Sequence, residues 1–273
     1  MVRNSLKTLS IMVDLSNYPY PTYESNRAAA GALAVLIGIS LIAWIVQSIQ
    51  IRFKPRRPII LMLISHLTIV IHLILRAAFS TERRNSRVGF TVITVLLAVG
   101  LRTIILANYD FLTQVDKLKT WISRTIIIGS MVTVIGSAVL MAPAGTLSYD
   151  SDTIERSFAL RQASSGIILG LTILFYPIWF AIKITKHMTK QAIILLIISS
   201  IACLIVSIFL VITSVPQYYV DSNDREFWFY VFQLTPIAIA QFTWTILHPK
   251  RTLKPTDPSK DAANINANIN DDL

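Results

Sequence analysis

Long apolar runs constrain this chain more than any other feature of its sequence. Seven such runs alternate with short segments that hold most of the charged residues. A helix of about 20 apolar residues, rising 1.5 Å per residue, crosses the roughly 30 Å hydrocarbon core of a bilayer. A backbone surrounded by lipid must satisfy its own hydrogen bonds, and a helix does so within one segment. We therefore expect an all-α fold, a polytopic membrane protein built as a bundle of seven transmembrane helices.

The expected spans divide the chain into three parts. Residues 1–27 form an exterior N-terminal segment, 28–248 the transmembrane domain, and 249–273 a cytoplasmic, disordered tail without apolar periodicity. The predicted spans are Ala28–Ile51, Pro58–Phe79, Val88–Leu112, Trp121–Met141, Ala163–Ile184, Ala192–Val215 and Phe227–Leu247. Pro177 and Pro236 fall inside the fifth and seventh spans, where we expect kinks. The polar stretch Pro143–Gln162 is the longest predicted loop.

The distribution of charge predicts an orientation and a class of partner. The chain is 53% hydrophobic and 15% charged, with a formal net charge of +10. Basic residues cluster at the ends of apolar runs, as at Arg52, Arg56 and Arg57, which suits anionic lipid headgroups at the cytoplasmic face rather than nucleic acid. Their bias predicts an exterior N-terminus and a cytoplasmic C-terminus. The plasma membrane is the expected location, with an organellar membrane as the alternative.

Ionisable side chains inside the predicted spans are the first candidates for function, because a charge at membrane depth is costly unless it is paired or hydrated. Arg102 stands about 21 Å into the third span, counted from Val88, and is too deep to reach the headgroups easily. We expect it to face the bundle interior and to meet polar groups, water or an anionic headgroup, or else a structural partner. His66 and His72 are either neutral groups bonded to neighbouring helices or members of a proton relay. Arg76, near the end of the same span, is expected to snorkel to the headgroups.

The sequence lacks the motifs of common catalytic and cofactor-binding classes. Its four histidines form no H-x-x-x-H or H-E-x-x-H pattern, and no G-x-S-x-G or glycine-rich phosphate loop occurs. The seventh span has no lysine for a retinal Schiff base. We expect no enzymatic activity, no cofactor and no metal. A seven-helix receptor or sensor without retinal, and a membrane scaffold that regulates other proteins, stay open as alternatives to transport.

The last span carries a specific pattern. The segment EFWFYVFQLTPIAIAQFTWTILHPKRTL begins at Glu226, passes through Tyr-Val-Phe to a proline, and ends in His-Pro before a basic tail. It resembles the closing segment of the fungal RTA-like lipid-translocating exporters, a family linked to aminocholesterol resistance. The matching residues are Glu226, Tyr230, Val231, Phe232, Pro236, His248 and Pro249, and Tyr18-Pro19-Tyr20-Pro21 also looks like the family's approach to its first span. Gln233 stands where members usually carry an aspartate, so the chain resembles a divergent member.

The resemblance implies a protein that translocates or exports lipid-like amphiphiles, such as sphingoid bases or sterol-like toxic lipids, or confers resistance to them in lipid stress. Its partners would be membrane lipids or amphiphilic small molecules. Glu226 would meet an amphiphile's amine or, alternatively, cap the last helix through the helix dipole. Tyr230, Trp228 and Trp244 are expected at the membrane interface. The candidate substrate-binding residues are Arg102, His66, His72, Glu226, Tyr230 and Gln233.

Overall fold

The computed structural model describes residues 18–53, 55–114, 120–185 and 188–252. Within these ranges the chain is mainly helical and contains no β-strand. The helices, numbered in chain order, are α1 Arg27–Gln50, α2 Arg56–Ala78, α3 Thr81–Arg84, α4 Arg87–Gln114, α5 Thr120–Leu147, α6 Ile154–Thr185, α7 Lys190–Ile212, α8 Pro216–Asn223, α9 Glu226–Phe229, α10 Thr235–Ile246 and α11 Pro249–Thr252. A 3-10 turn at Ser151–Thr153 precedes α6, and a π-helical turn at Tyr230–Leu234 joins α9 to α10.

Six of the helices in the described ranges are long and apolar enough to cross a membrane: α1, α2, α4, α5, α6 and α7. The predicted class, an all-α fold with several membrane-spanning helices, is confirmed to this extent. The seventh predicted span is instead divided into α9, the π-helical turn and α10. These three pieces follow one another without a break from Glu226 to Ile246. Neither α-helical piece alone reaches the length of the other six helices.

The helices place apolar side chains outward and hydroxyl groups inward. In α1, Ile39 and Ile42 are 60% and 64% exposed, whereas Ser40, Trp44 and Ser48 on the opposite face are buried. An exposed apolar surface of this kind suits a lipid surround, because water would make it unfavourable. Small and hydroxyl-bearing residues at the interfaces are typical of helices that pack in a membrane. The pattern is consistent with an integral, multi-pass membrane protein.

Close packing of α2 against α4 forms the centre of the bundle. At Gly100 in α4, a Cβ atom would lie 2.5 Å from Ile69 Cδ1 in α2, so only glycine allows this approach. The other main packing pairs are α5 with α6, α1 with α2 and α7 with α10. Buried aromatic side chains fill the space between them, among them Trp44, Trp244 and Phe111.

The bundle has two ends, named here the Glu226 end and the His248 end after the residues that begin and follow the last helical stretch. Residues 18–26 cross the Glu226 end. Tyr18 Oη lies 2.9 Å from Ser157 Oγ, and the Thr22 N–H donates to the Asn223 carbonyl at 3.3 Å. This part of the predicted exterior segment is therefore packed on the bundle, while residues 1–17 lie outside the described ranges. Of the predicted tail, residues 249–252 form α11, and residues 253–273 also lie outside them.

The prediction of a long loop from Pro143 to Gln162 is wrong. Helix α5 continues through Pro143 to Leu147 and α6 begins at Ile154, which leaves a connection of a few residues. Side chains bond backbone carbonyls near the C-terminal end of α5, where a helix leaves its last carbonyls without intrahelical partners. Thr146 Oγ1 donates to the Pro143 carbonyl at 2.9 Å, and Ser157 Oγ in α6 donates to the Ala144 carbonyl at 2.7 Å. Pro177 lies inside α6, within the fifth span as the sequence indicates.

Candidate functional site

An ion pair joins α2 to the last helical stretch at the Glu226 end. Arg76 Nη2 lies 2.8 Å, and its Nε 3.2 Å, from Glu226 Oε1. The same guanidinium donates to Tyr23 Oη at 2.7 Å and lies 4.1 Å from the centroid of the Phe229 ring. The two charged side chains are only 5% and 11% exposed. The prediction that Arg76 snorkels to the headgroups is wrong, because a carboxylate distant in sequence draws it inward.

The carboxylate of Glu226 has further partners on the crossing segment. Its Oε2 accepts the Asn26 backbone N–H at 2.7 Å, and its Oε1 accepts Ser25 Oγ–H at 3.2 Å. Tyr230 lies next to it, and its hydroxyl donates to the Asn26 carbonyl at 3.4 Å. An amphiphile's amine would have to displace Arg76 and these donors. The geometry therefore favours a structural role for Glu226 and Tyr230 over the amine contact.

His66 is buried where α1, α2 and α10 meet. Its Nδ1 lies 2.8 Å from the Met62 carbonyl, and its Nε2 lies 3.2 Å from Ser40 Oγ and 3.3 Å from Thr245 Oγ1. A carbonyl only accepts, so Nδ1 carries the proton and Nε2 is free to accept from a hydroxyl. Trp44 stacks on the ring with centroids 5.9 Å apart. These contacts match a neutral histidine bonded to neighbouring helices.

His72 is also fully buried but occupies a separate position. Its Nδ1 lies 3.0 Å from the Ile93 carbonyl of α4, and Phe229 lies beside the ring. Its Nε2 is buried without a hydrogen-bond partner among the described residues. Among the described residues, no hydrogen bond connects His72 with His66. The arrangement gives no support to a proton relay between the two histidines.

Trp244 belongs to the polar core of the bundle, and the prediction that it lies at the membrane interface is wrong. The side chain is fully buried and donates from Nε1 to Ser199 Oγ at 3.1 Å and to Asn108 Oδ1 at 3.3 Å. Nearby, Gln241 Nε2 donates to Ser65 Oγ at 2.9 Å, which links α10 with α2. The last helical stretch therefore presents a polar face to the other helices. The position of Trp244 near the end of the predicted span did not indicate this face.

Arg102 faces the bundle interior, as expected from its depth. It is 7% exposed and donates to Ser137 Oγ at 3.0 Å, to Ser164 Oγ at 3.2 Å and to the Ala98 carbonyl at 3.2 Å. All three acceptors are neutral. No carboxylate of the described ranges lies within ion-pair distance of Arg102. Its positive charge is solvated by hydroxyl and carbonyl dipoles but is not neutralised.

Arg102 opens onto a cavity of about 110 Å³ toward the Glu226 end, called here the Arg102 cavity. Its polar wall includes Arg102, Arg161, Ser164, Ser165, Thr213, Tyr219 and Gln233. The tertiary structure thus brings two sequence-predicted residues, Arg102 and Gln233, to one cavity and adds a second arginine. Arg161 is a site residue that sequence reasoning missed, since it stands in the stretch expected to be a loop. His66, His72, Glu226 and Tyr230 do not line this cavity.

A wide apolar groove of about 530 Å³ lies beside the Arg102 cavity and is called here the Phe232 groove. Its wall is formed mainly by one face of α7 and by aromatic residues of the last helical stretch: Ile205, Ile208, Phe209, Ile212, Trp228 and Phe232. Thr213 lines both the groove and the cavity. The neighbouring residues Phe232 and Gln233 of the π-helical turn line the groove and the cavity respectively. The Arg102 cavity, which is largely apolar but carries two arginines, and the apolar Phe232 groove therefore share one wall.

A second concavity, of about 660 Å³, opens between α2, α4 and α5 toward the His248 end. Asp110 lies on it together with Arg57 and Arg124. Gln114 donates to Asp110 Oδ2 at 2.7 Å, while Oδ1 is buried without a hydrogen-bond partner in the described ranges. This concavity has a carboxylate on its wall beside the two arginines, whereas the residues that line the Arg102 cavity include none.

Within the described residues no group of three or more histidine, cysteine, aspartate or glutamate side chains could hold a metal ion. No family model, curated protein or solved structure matches the chain. The resemblance of the last span to the RTA-like exporters therefore stays a prediction.

Proposed function

We propose that this protein binds lipid-like amphiphiles and translocates or exports them, as the resemblance of its last span implies. The observation that carries the proposal is the shared wall of the Arg102 cavity and the Phe232 groove. An amphiphile has a polar head and an apolar chain, and the two adjoining spaces offer a matching place for each. Ligand sites in helical bundles are mostly apolar with a few convergent polar groups, which is the combination found here.

The proposal includes a seventh crossing of the membrane by α9, the π-helical turn and α10. Residues 226–246, at 1.5 Å per residue, cover about 31 Å, which matches the hydrocarbon thickness. With an exterior N-terminus, the Glu226 end lies at the outer face, and the Arg102 cavity opens from membrane depth toward it. The expected setting is the plasma membrane. Short π-helical turns inside α-helices occur frequently at functional sites, and this one forms the wall between the two spaces.

Transport by purified protein tests the proposal. Phosphatidylcholine vesicles with and without the protein receive fluorescent amphiphiles that share one chain and differ in headgroup: an amine, a phosphocholine and a phosphate. The label that remains accessible to an impermeant quencher reports movement between leaflets. We expect at least one probe to move faster than in empty vesicles. Movement of all three probes no faster than in empty vesicles would overturn the proposal.

A substitution at the shared wall sharpens the test. Thr213→Phe places a large side chain between cavity and groove, and we expect it to return the movement to the rate in empty vesicles. Ile201→Phe is the matched control, since Ile201 lies in α7, is 47% exposed and is not among the residues that line the cavity or the groove. If both variants move the probe like the unaltered protein, the shared wall does not carry the activity. The receptor alternative would be favoured by a different result: a probe that does not cross the vesicle membrane but makes the protein stimulate guanine-nucleotide exchange on a partner protein.

A further inference from the structure

The charges around the Arg102 cavity point to one kind of headgroup. We infer that this cavity binds an anionic group, a phosphate, sulfonate or carboxylate, at the head of an amphiphile whose chain lies in the Phe232 groove. This inference rests on the proposed function and narrows its substrate to anions. It differs from the expectation of a cationic sphingoid base.

Arg161 supplies the first argument. Its Nε is buried and has no hydrogen-bond partner among the described residues. The guanidinium carbon lies 5.5 Å from the Tyr18 ring and 5.7 Å from the Tyr219 ring, so aromatic faces surround the charge without neutralising it. A guanidinium with a vacant donor in such a place is a ready partner for a planar or tetrahedral anion.

The neighbouring phenols do not serve as the counterion. Burial raises the pKa of Tyr219 to about 12, with Arg161 acting in the opposite direction, and burial also raises the pKa of Tyr18. Both groups are therefore neutral at physiological pH. Their hydroxyls are engaged as well, since Tyr219 donates to the Pro19 carbonyl at 2.6 Å and Tyr18 lies 2.9 Å from Ser157 Oγ.

Arg102 supplies the second positive charge on the same cavity, and its three acceptors are neutral. Unpaired charge at membrane depth is unfavourable, and two like charges on one small cavity add to that cost. An anion between them would remove both penalties. The side-chain amide of Gln233, on the same wall, can donate a further hydrogen bond to the anion. Of the carboxylates near these two spaces, Glu226 is already neutralised by Arg76, and Asp221 lines the groove and not the Arg102 cavity.

The dimensions of the two spaces agree with a small head on an apolar chain. A cavity of about 110 Å³ holds the equivalent of roughly four waters at about 30 Å³ each, which suits a phosphate or carboxylate. The groove of about 530 Å³ beside it has room for part of a hydrocarbon chain. Thr213 lies at the junction, where the head would join the chain.

Binding in detergent, measured separately from transport, tests the inference. Fluorescent dodecyl phosphate and the corresponding dodecyl amine are titrated against the purified protein and followed by fluorescence anisotropy. We expect the phosphate probe to bind more tightly than the amine. Arg161→Gln should weaken binding of the phosphate probe by roughly 10- to 100-fold, since a hydrogen bond to a charged group is lost. Arg161→Lys should restore part of the affinity. Arg156→Gln, an exposed arginine on the same helix, should leave affinity unchanged.

Each other outcome has a defined meaning. Equal or tighter binding of the amine, or full affinity in both Arg161→Gln and Arg102→Gln, would overturn the inference even if transport is observed. Inorganic phosphate and unlabelled dodecyl phosphate are compared as competitors at equal concentration. If inorganic phosphate displaces the probe as well as dodecyl phosphate does, the ligand is a free anion and the amphiphile assignment is overturned. Tight phosphate-probe binding without any probe movement in vesicles would leave the anion site standing and refute translocation.

Discussion

Arg76 and Glu226 lie 150 positions apart in the chain and form an ion pair at 2.8 Å in which both side chains are largely buried. The pair connects the end of α2 to the start of the last helical stretch, and the Tyr23 hydroxyl completes the set of partners around the guanidinium. A charge removed from such a pair leaves its partner without compensation, which costs more than the intact pair contributes.

The first prediction concerns this pair. Arg76→Met should lower the free energy of unfolding by about 3 kcal/mol or more, because the largely buried Glu226 carboxylate loses its ion-pair partner. Thermal unfolding in detergent provides the measurement. The double variant Arg76→Met/Glu226→Gln should be more stable than Arg76→Met alone, since Gln keeps an acceptor for the Asn26 N–H and removes the orphaned charge. Glu82→Gln, an exposed carboxylate at the same end, serves as the control. Additive effects in the double variant would contradict the pairing.

A second prediction concerns the contact of α2 with α4. Gly100→Ala should cost about 1–3 kcal/mol, because the added methyl group overlaps Ile69 Cδ1 and Cγ1, at 2.5 Å and 2.8 Å. Ile69→Val removes the nearer atom and should recover part of the loss in the double variant. Gly136→Ala is the matched control, as a Cβ there meets no atom within 4 Å. Comparable losses for Gly100→Ala and Gly136→Ala would mean that close packing is not the cause.

The third prediction concerns the buried polar core around Asn108. Asn108→Leu removes the acceptor of the Ser199 hydroxyl at 2.8 Å and one acceptor of the Trp244 N–H. We expect a loss of about 1–3 kcal/mol in unfolding free energy together with a changed tryptophan emission spectrum. Gln191→Leu, on the exposed start of α7, should change neither quantity. A lipid-facing Trp244 would show no spectral response to Asn108→Leu.

The fourth prediction tests orientation and the number of crossings. Cys203 is the only cysteine of the chain and is 2% exposed, so the variant Cys203→Ala provides a background for labelling. In that background an impermeant maleimide should label Arg225→Cys in intact cells, and Lys190→Cys only after permeabilisation. An epitope added after Leu273 should be accessible only after permeabilisation as well. Epitope accessibility in intact cells would indicate six crossings if Arg225→Cys is also labelled there, and the opposite orientation if it is not.

The sequence-derived expectations succeed where the physical cause is local. Runs of apolar residues predict the six long helices, because each helix satisfies its own backbone and needs only length and hydropathy. Most ends agree within a few residues, but α5 ends six residues later and α6 begins nine residues earlier than predicted. The prediction ended α5 too early, because it applied the rule that proline breaks helices. It could not see that Ser157, from another helix, bonds the Ala144 carbonyl and so supports the last turn of α5 beyond the proline.

The candidate site required information that no local pattern holds. Depth along the span identified Arg102 as an inward charge, but Arg161 was hidden in a stretch interpreted as a loop. Arg76 and Trp244 were assigned to the interface from their proximity to span ends, whereas their partners Glu226 and Asn108 come from distant helices.

By itself the sequence determined that lipid surrounds this chain and approximately where each long helix lies. Hydropathy and helix length depend only on residues that are adjacent in the chain, so both can be read directly from the sequence. Only the tertiary structure decided which buried charges are paired, because pairing depends on distances between helices remote in sequence. Glu226 neutralises Arg76, while Arg102 and Arg161 share a cavity with no carboxylate from the described ranges, and that difference separates a structural contact from a site for a ligand.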